Sequence, residues 1–253
     1  MRTTDCYVFR EITAQGELEC FLKLRYASYY DSPRRGFLTP HERGIDINIY
    51  DLHARHFGLF CDRAPCGYFR VVHHKVAYYN PTAYAVGLQY AVFRERTHTR
   101  PSITKSSYAD FPFVSYLNVP GSVKNYYRHI VNRGEEVVEP GRFVLARSYG
   151  GLRKAMHLIE CALVLYHAAY VGKKHAVVNC DGNHERVYRS YGFQTINRTE
   201  SYYLKGRRSV PSALLSLSAS WSLPTSPIPA RYHRKISEMA EEYTATQQIM
   251  REL

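Results

Sequence analysis

The sequence has one tryptophan, Trp221, and four methionines in 253 residues, and it has no long apolar run. No stretch approaches the length of a membrane span. The N-terminal MRTTDCYVFREI carries charges where a signal peptide would be apolar, so a cytoplasmic protein is expected. Cysteine is sparse and scattered. Cys6, Cys20, Cys61, Cys66, Cys161 and Cys180 form no repeated C-x-x-C pair, and Cys61 with Cys66 around one turn is too little for a zinc site. Free thiols are therefore expected, and no metal site. There is no internal repeat. Acidic residues are outnumbered: 22 Asp and Glu against 34 Lys and Arg give a net charge of +12. That excess points to an acidic partner, whether nucleic acid, anionic membrane, a phosphate-bearing cofactor or an acidic protein. The basic residues come in short clusters such as Arg34-Arg35 and Arg207-Arg208, without the sustained runs of a nucleic-acid-binding arm.

What is present is enough apolar sequence, 45%, to bury a full core. CYVFREI (6–12) reads as a strand, and residues 17–30 follow as a helix with Leu18, Phe21, Leu22, Arg25 and Tyr29 at spacings of three and four. HFGLFCD and CGYFRVV form a hairpin over 56–72, turning at Arg63-Ala64-Pro65. Residues 77–130, rich in Tyr, Pro and Asn, read as an insertion. A buried strand at 142–147 leads into a long helix over about 151–171, then a strand at 175–180, a short helix in NHERVYRSYG and a final strand region in FQTINRTESYYLK. Ser and Pro crowd residues 207–235, which read as a linker or surface tail, and an amphipathic helix closes the chain over 236–253. The division expected is 1–206 as the main domain and 207–253 as linker plus helix.

Charged residues at the ends and faces of core elements are the anomaly, because burying a charge costs desolvation unless it is paired. Arg25 stands on the apolar stripe of its helix, either snorkelling or turned toward a pocket. Asp46 and Asp51 sit with His53 and His56 in a loop before the hairpin. Arg70 interrupts the strand GYFRVV, with Tyr68 and Val72 on its face. Glu139 and Arg142 open the strand at 142–147, and Arg147, Gly150 and Gly151 close it. Taken together these residues suggest one site.

The order β-α-β-β-insertion-β-α-β-α-β, with RSYGGLRKA between strand and long helix and VYRSYGF near the end, resembles the GNAT acyltransferase superfamily. The resemblance implies an α/β fold, a mixed central β-sheet flanked by helices, carrying an insertion at about 77–130 and a C-terminal tail plus helix. In that superfamily an R/Q-x-x-G-x-G/A loop presents backbone amides and a helix N-terminus to the pyrophosphate of the acyl carrier. Arg147, Gly150 and Gly151 match it, while Leu152 replaces the last small residue. FLKLRYASYY, IDINIYD, GYFRVV and EPGRF, in that order, look like the signature of the acyl-homoserine-lactone synthases. The tryptophan of that branch after the first helix has no counterpart here. The resemblance is therefore closer to the long-chain N-acyl amino acid synthases and exosortase-associated acyltransferases, relatives whose acceptor is an amino acid.

This resemblance implies transfer of a long-chain acyl group from the phosphopantetheine thioester of acyl carrier protein, or from coenzyme A, to an α-amino group. No cofactor would be held permanently. Glu139 would take the proton of the acceptor ammonium, Arg142 would steady the glutamate or bind the acceptor carboxylate, and Tyr188 would protonate the leaving thiolate or else merely pack its helix. Backbone N–H groups where the strand splays from its neighbour would hold the oxyanion. Arg25, Tyr29, Asp46, Asp51 and Arg70 would be substrate-binding, and the donor would meet Arg147, Gly150 and Gly151. An acidic carrier protein would suit the +12 charge. A homodimer is left open, and the aromatic residues of 77–130, Phe93, Phe111 and Phe113 among them, would wall an acyl pocket. A nucleic-acid-binding module would explain the charge but not Glu139-x-x-Arg142.

Overall fold

Two adjacent residues in left-handed backbone set the centre of the sheet. Strands β2 (Ala54–Cys61) and β3 (Ala64–His73) pair antiparallel across Asp62 and Arg63, whose φ values are 48° and 69°. A two-residue turn of this hand matches the twist of the strands it joins. The turn falls just ahead of the expected Arg63-Ala64-Pro65, because Pro65 is taken into β3 where the register slips beside Phe60, a position that needs no N–H.

The computed structural model describes residues 6–32, 35, 38, 44–73, 79–92, 120–169, 175–181, 184–190, 193–196, 214–220 and 230–252. Around the hairpin lie β1 (Cys6–Glu11), α1 (Gln15–Tyr30), α2 (Pro81–Gln89), α3 (Gly121–Asn132), β4 (Val137–Leu145), α4 (Leu152–Ala169), β5 (His175–Asp181), α5 (Glu185–Ser190), β6 (Gln194–Thr195), β7 (Leu214–Ser220), α6 (Ala230–Thr246) and β8 (Gln248–Glu252). The eight strands form one sheet in the order β6-β7-β5-β4-β3-β2-β1-β8. β4 and β5 run parallel, and the other pairs are antiparallel.

Both faces of the sheet are covered, which is why β2 and β3 are apolar almost throughout. On one face Phe9, Phe57, Phe69 and Phe143 stack across four strands at centroid separations of 5.8, 5.3 and 5.0 Å, in a core shared with α4 and α6. On the other face α1 and α2 pack over Phe60, Tyr68 and Val144, and α3 covers Val72 and Val137. α2 and α3 thus occupy part of the expected insertion, while Phe93, Phe111 and Phe113 lie outside the described residues.

The C-terminal stretch is built into the sheet instead of being appended to it. LLSLSAS forms β7 between β5 and β6: its serine content looks like a linker, but Leu215, Leu217 and Ala219 alternate with Ser216, Ser218 and Ser220, the period of a strand. The closing helix ends earlier than expected, at Thr246. Gln247 turns left-handed (φ 58°), and Gln248–Glu252 return along β1 as an edge strand. Ile236, Met239, Tyr243 and Ile249 carry this unit into the core.

β4 and β5 are paired only at Val137↔His175 and Val138↔Ala176. Beyond that point β5 pairs with β7 and β4 keeps β3 alone. The sheet therefore opens along Glu139–Leu145.

α1 reaches its seat because Gly58 has no side chain: a Cβ there would stand 2.5 Å from Cζ of Phe21. Gly58→Ala is expected to cost about 1–3 kcal/mol in urea unfolding, as overpacking does. Gly121→Ala, at a helix start with nothing within 4 Å, should be neutral or stabilising by up to about 1 kcal/mol.

Candidate active site

Arg25 occupies a leucine-like position on the buried stripe of α1, and its side chain has no exposure at all. Its fork is filled by Asp51, with Nη1–Oδ1 and Nη2–Oδ2 both 2.9 Å. Nη1 also donates to the Tyr68 hydroxyl at 3.0 Å, and Nη2 to the backbone carbonyl of Asp46. Nε lies 2.8 Å from Asp46 Oδ2 as an ion pair. Arg25 is thus not a snorkelling arginine: it is fully buried and paired with carboxylates of the protein itself. It cross-links α1 to the segment before the hairpin.

Asp51 sits in a short 3-10 turn, Ile49–His53, closed by a capping box: the Asn48 N–H donates to Asp51 Oδ2 at 2.8 Å, and Asn48 Oδ1 accepts from the Tyr50 N–H at 3.0 Å. The same carboxylate accepts from Arg70 Nη1 at 2.6 Å, and that nitrogen also donates to Asn48 Oδ1 at 3.0 Å. Arg70 is buried, not on an exposed sheet face. Asp46 faces Arg142 as well, at 3.8 Å, and the Arg142 guanidinium lies 5.5 Å from the ring of Tyr29. Arg25, Tyr29, Asp46, Asp51, Arg70 and Arg142 are therefore brought together.

Sequence reasoning noted His56 and Tyr68 beside these charges but gave neither a role, and it put His56 in the loop where it lies in β2. His56 Nε2 faces the Asp51 carbonyl at 3.0 Å and its Nδ1 faces the Tyr68 hydroxyl at 2.7 Å. Since a carbonyl only accepts, the proton belongs on Nε2 and Tyr68 donates to Nδ1. Burial pushes His56 down to about 4 and pushes the Tyr68 phenol up. Burial would also raise both aspartates, but Arg25 and Arg70 outweigh it at Asp51, holding it well below the usual carboxylate range. Arg25 and Arg142 do the same for Asp46. The signal for Tyr68 was its place two residues from Arg70 on one sheet face.

Arg142 lies at the outer side of this group, and its side chain keeps 15% exposure. Arg142 has φ 60°, a backbone region costing an ordinary residue about 1–2 kcal/mol. It is a bulge: Tyr68 pairs with Val144 and Arg70 with Gly141, so Arg142 and Phe143 together oppose Phe69. The bulge sends Arg142 toward Asp46 and Phe143 to the other face, against Phe69. Glu139 pairs with Val72, which puts it on the Arg70 face of the sheet, largely buried.

Where β4 has left β5, a cavity of about 250 Å³ opens, lined by Phe143, Val144 and Leu145 with Met156, Ile159 and Tyr188. Tyr188 packs edge-on against Phe143 and Phe193, at centroid distances of 6.5 and 5.4 Å. The remaining expected residues lie past the end of β4. Arg147 heads a 3-10 turn, its side chain 76% exposed and 3.6 Å from Asp31. The Gly150 N–H bonds the Arg147 carbonyl at 3.2 Å, and the Gly151 carbonyl accepts from the Ala155 N–H at 3.0 Å, opening α4. Gly151 has φ 135°, which glycine adopts without penalty.

Removing one partner from a buried ion network strands the others. Asp51→Asn should cost about 3–5 kcal/mol in urea unfolding, whereas Arg147→Ala should stay within about 0.5 kcal/mol. Acid should act through His56. The unfolded chain takes up that proton near pH 6.5 and the fold resists it to about pH 4, so the unfolded state binds more protons in between. Stability is then full above about pH 6.5 and falls by about 3 kcal/mol toward pH 4. Unfolding midpoints measured across that range should show the slope, and His56→Gln should flatten it.

No family model matches the sequence, and no curated protein compared with it is similar. Among solved structures the chain is similar to FeeM, an N-acyl amino acid synthase from uncultured soil microbes, at 14% identity over 87% of this chain and 93% of that one, with a TM-score of 0.50. It is also similar to BjaI, a CoA-dependent acyl-homoserine lactone synthase, with SAM and isopentyl-CoA, at 10% identity over 93% and 90% of the two chains and a TM-score of 0.55. These likenesses show the fold alone: an α/β architecture with a mixed sheet and helices on both faces, as expected from the sequence.

Proposed function

We propose that this chain is an N-acyltransferase that moves an acyl group from a phosphopantetheine thioester to the α-amino group of an amino acid. The observation that carries this reading is the two-sidedness of β4. One short strand places Glu139 and Arg142 on the face that carries the charged network, and Phe143 against a mostly apolar cavity on the other. A thioester carbonyl reaching the open edge of β4 would have its acyl chain against apolar walls and its carbon near the charged groups. The fold shared with FeeM, a synthase of N-acyl amino acids, supports the same reading.

The chemistry balances without a covalent enzyme intermediate. An amino acid arrives as an ammonium, so a proton must leave before attack, and Glu139 accepts it directly or through a water. Arg142, partly exposed at the edge of the network, holds the acceptor's carboxylate. The amine nitrogen then bonds to the thioester carbon, and the oxyanion is held by backbone N–H groups where β4 parts from β5. Collapse breaks the C–S bond, and the second proton of the attacking nitrogen passes to the departing sulfur, directly or through a water, leaving the amide and a free thiol. The departing thiolate has a conjugate acid of pKa about 8.5 and leaves without a strong acid, so Tyr188, packed between two aromatic rings, serves as a wall. Arg25, Asp46, Asp51 and Arg70 hold Arg142 and β4 in place. Arg147, Gly150 and Gly151 meet the phosphate end of the donor. An acidic acyl carrier protein is the donor best matched to a chain of charge +12.

No helix among the described residues is long and apolar enough to cross a membrane. Purified protein should be given acyl carrier protein and coenzyme A thioesters of several chain lengths with a pool of amino acids, and the products read by mass spectrometry. An N-acyl amino acid is expected, with Glu139→Gln lowering kcat by about 10²–10⁴. Product only in the presence of S-adenosylmethionine would replace this reading with lactone synthesis, and full activity in Glu139→Gln would remove Glu139 as the base.

A further inference from the structure

β8 is the last strand of the sheet, and among the described residues β1 alone pairs with it. A bare edge of this kind is a template for a further strand. Here the edge is not bare. The Met250 N–H donates to Glu242 Oε1 at 2.8 Å, and the Met250 carbonyl accepts from Arg251 Nη1. Both groups of Met250 therefore point away from β1, and by the alternation of an antiparallel ladder so do those of Gln248. The Gln248 N–H donates to Thr246 Oγ1 at 3.2 Å, and that hydroxyl also lies 2.9 Å from the Gln248 carbonyl. Glu242 and Arg251 hold each other as well, Nη1 to Oε2 at 2.6 Å. Two successive outward positions of the edge are thus occupied by side chains of the chain itself. The left-handed Gln247 makes this possible, because it folds β8 back against the last turn of α6.

We propose that Glu242, Arg251 and Thr246 form a cap that closes the edge of β8 against pairing with a second copy of this chain. The cap lies four strands away from β4 and does not depend on the acyltransferase reading. A second copy is the occupant that fits an uncapped edge, since two identical antiparallel edges are self-complementary about a two-fold axis. Met250 would give that pairing an apolar contact, being 53% exposed on the face it shares with Val8. The two sheets would then run on as one. A new strand must first break hydrogen bonds to ionised groups, which are stronger than neutral ones. The Glu242 and Arg251 side chains are themselves 29% and 31% exposed, so the pair adds little to folding stability. Its removal opens the edge and leaves the chain folded.

The test is the oligomeric state of the full chain, read by sedimentation velocity over a concentration series. Glu242→Ala/Arg251→Ala removes both charges together and should gain mass toward that of two chains as concentration rises, while the wild-type distribution does not move. Adding Met250→Pro, which deletes the outward N–H and leaves the ladder to β1 intact, should return the variant to the wild-type distribution. A double variant that is folded by circular dichroism and sediments as the wild type does overturns the cap. Association that survives Met250→Pro overturns it too, because another surface would then carry the pairing. So does a wild type that Met250→Pro dissociates, since its edge would already be open. Should the double variant fail to fold, amide exchange in the wild type decides. The Met250 N–H should exchange about 10- to 100-fold more slowly than an unprotected amide, the range that a hydrogen bond to a charged group confers. Exchange there at the unprotected rate overturns the proposal.

Discussion

The buried carboxylate of Asp51 governs where the rest of the site can be. It accepts from Arg25 on α1, from Arg70 on β3 and from the backbone of its own 3-10 turn at Asn48, so three separate segments converge on two oxygen atoms. Nothing apolar would place them so closely. Burying two arginines and two aspartates gains little net stability over a well-packed apolar cluster, which makes such a network a poor choice for holding a fold together. What it supplies is direction. Leucines in the same volume would pack α1 against the sheet in several registers, whereas a bidentate fork accepts one.

That single register matters at Arg142. The bulge in β4 is a costly backbone state for an arginine, and it persists where the surroundings determine it. Asp46 draws the guanidinium to one face, and stacking on Phe69 draws the next residue, Phe143, to the other. Asp46 is in turn held by Arg25. The chain of cause runs from a helix residue far away in sequence, through two aspartates, to the strained residue at the open edge of the sheet. The proton states reinforce it. His56 is kept neutral and Asp51 charged, so the hydrogen-bond directions are the same throughout the neutral pH range.

Much of this could be read in the sequence, and the parts that could not have a common cause. Charges interrupting apolar periodicity marked Arg25, Arg70 and Glu139, since periodicity makes a charged exception visible. The pairing of those charges was invisible, because Arg25 and Asp51 are 26 residues apart and no local pattern relates them. Arg25 therefore looked available to a substrate when its fork is full. Tyr68 and His56 carry no charge in the fold, and so broke no pattern. The strand of Leu214–Ser220 was hidden by composition, as alternating serine reads as a linker until its leucines are counted at every second place. The aromatic insertion was legible as irregular, but α2 and α3 within it act as ordinary covering helices.

The splay of β4 from β5 connects these charges to the cavity. A parallel pair held over two residue positions leaves Glu139–Leu145 without β5 as a neighbouring strand, where a closed sheet would have continued the ladder. Such an edge is unfavourable unless something complements it. Water can, but so can the amides of an extended phosphopantetheine arm, which offer the same acceptors and donors. The residues on either side of that edge differ in kind, charged through Glu139 and Arg142 and apolar through Phe143. A ligand matching it must be amphipathic over the length of one strand, with its polar reacting centre at the bulge and its hydrocarbon directed toward Ile159. A fatty acyl thioester has that shape, with the carbonyl as the polar centre and the chain beyond it. A nucleotide, a sugar or a peptide backbone would place polar atoms against Phe143, where the cavity's walls are mostly apolar and His184 is the charged-type residue among them.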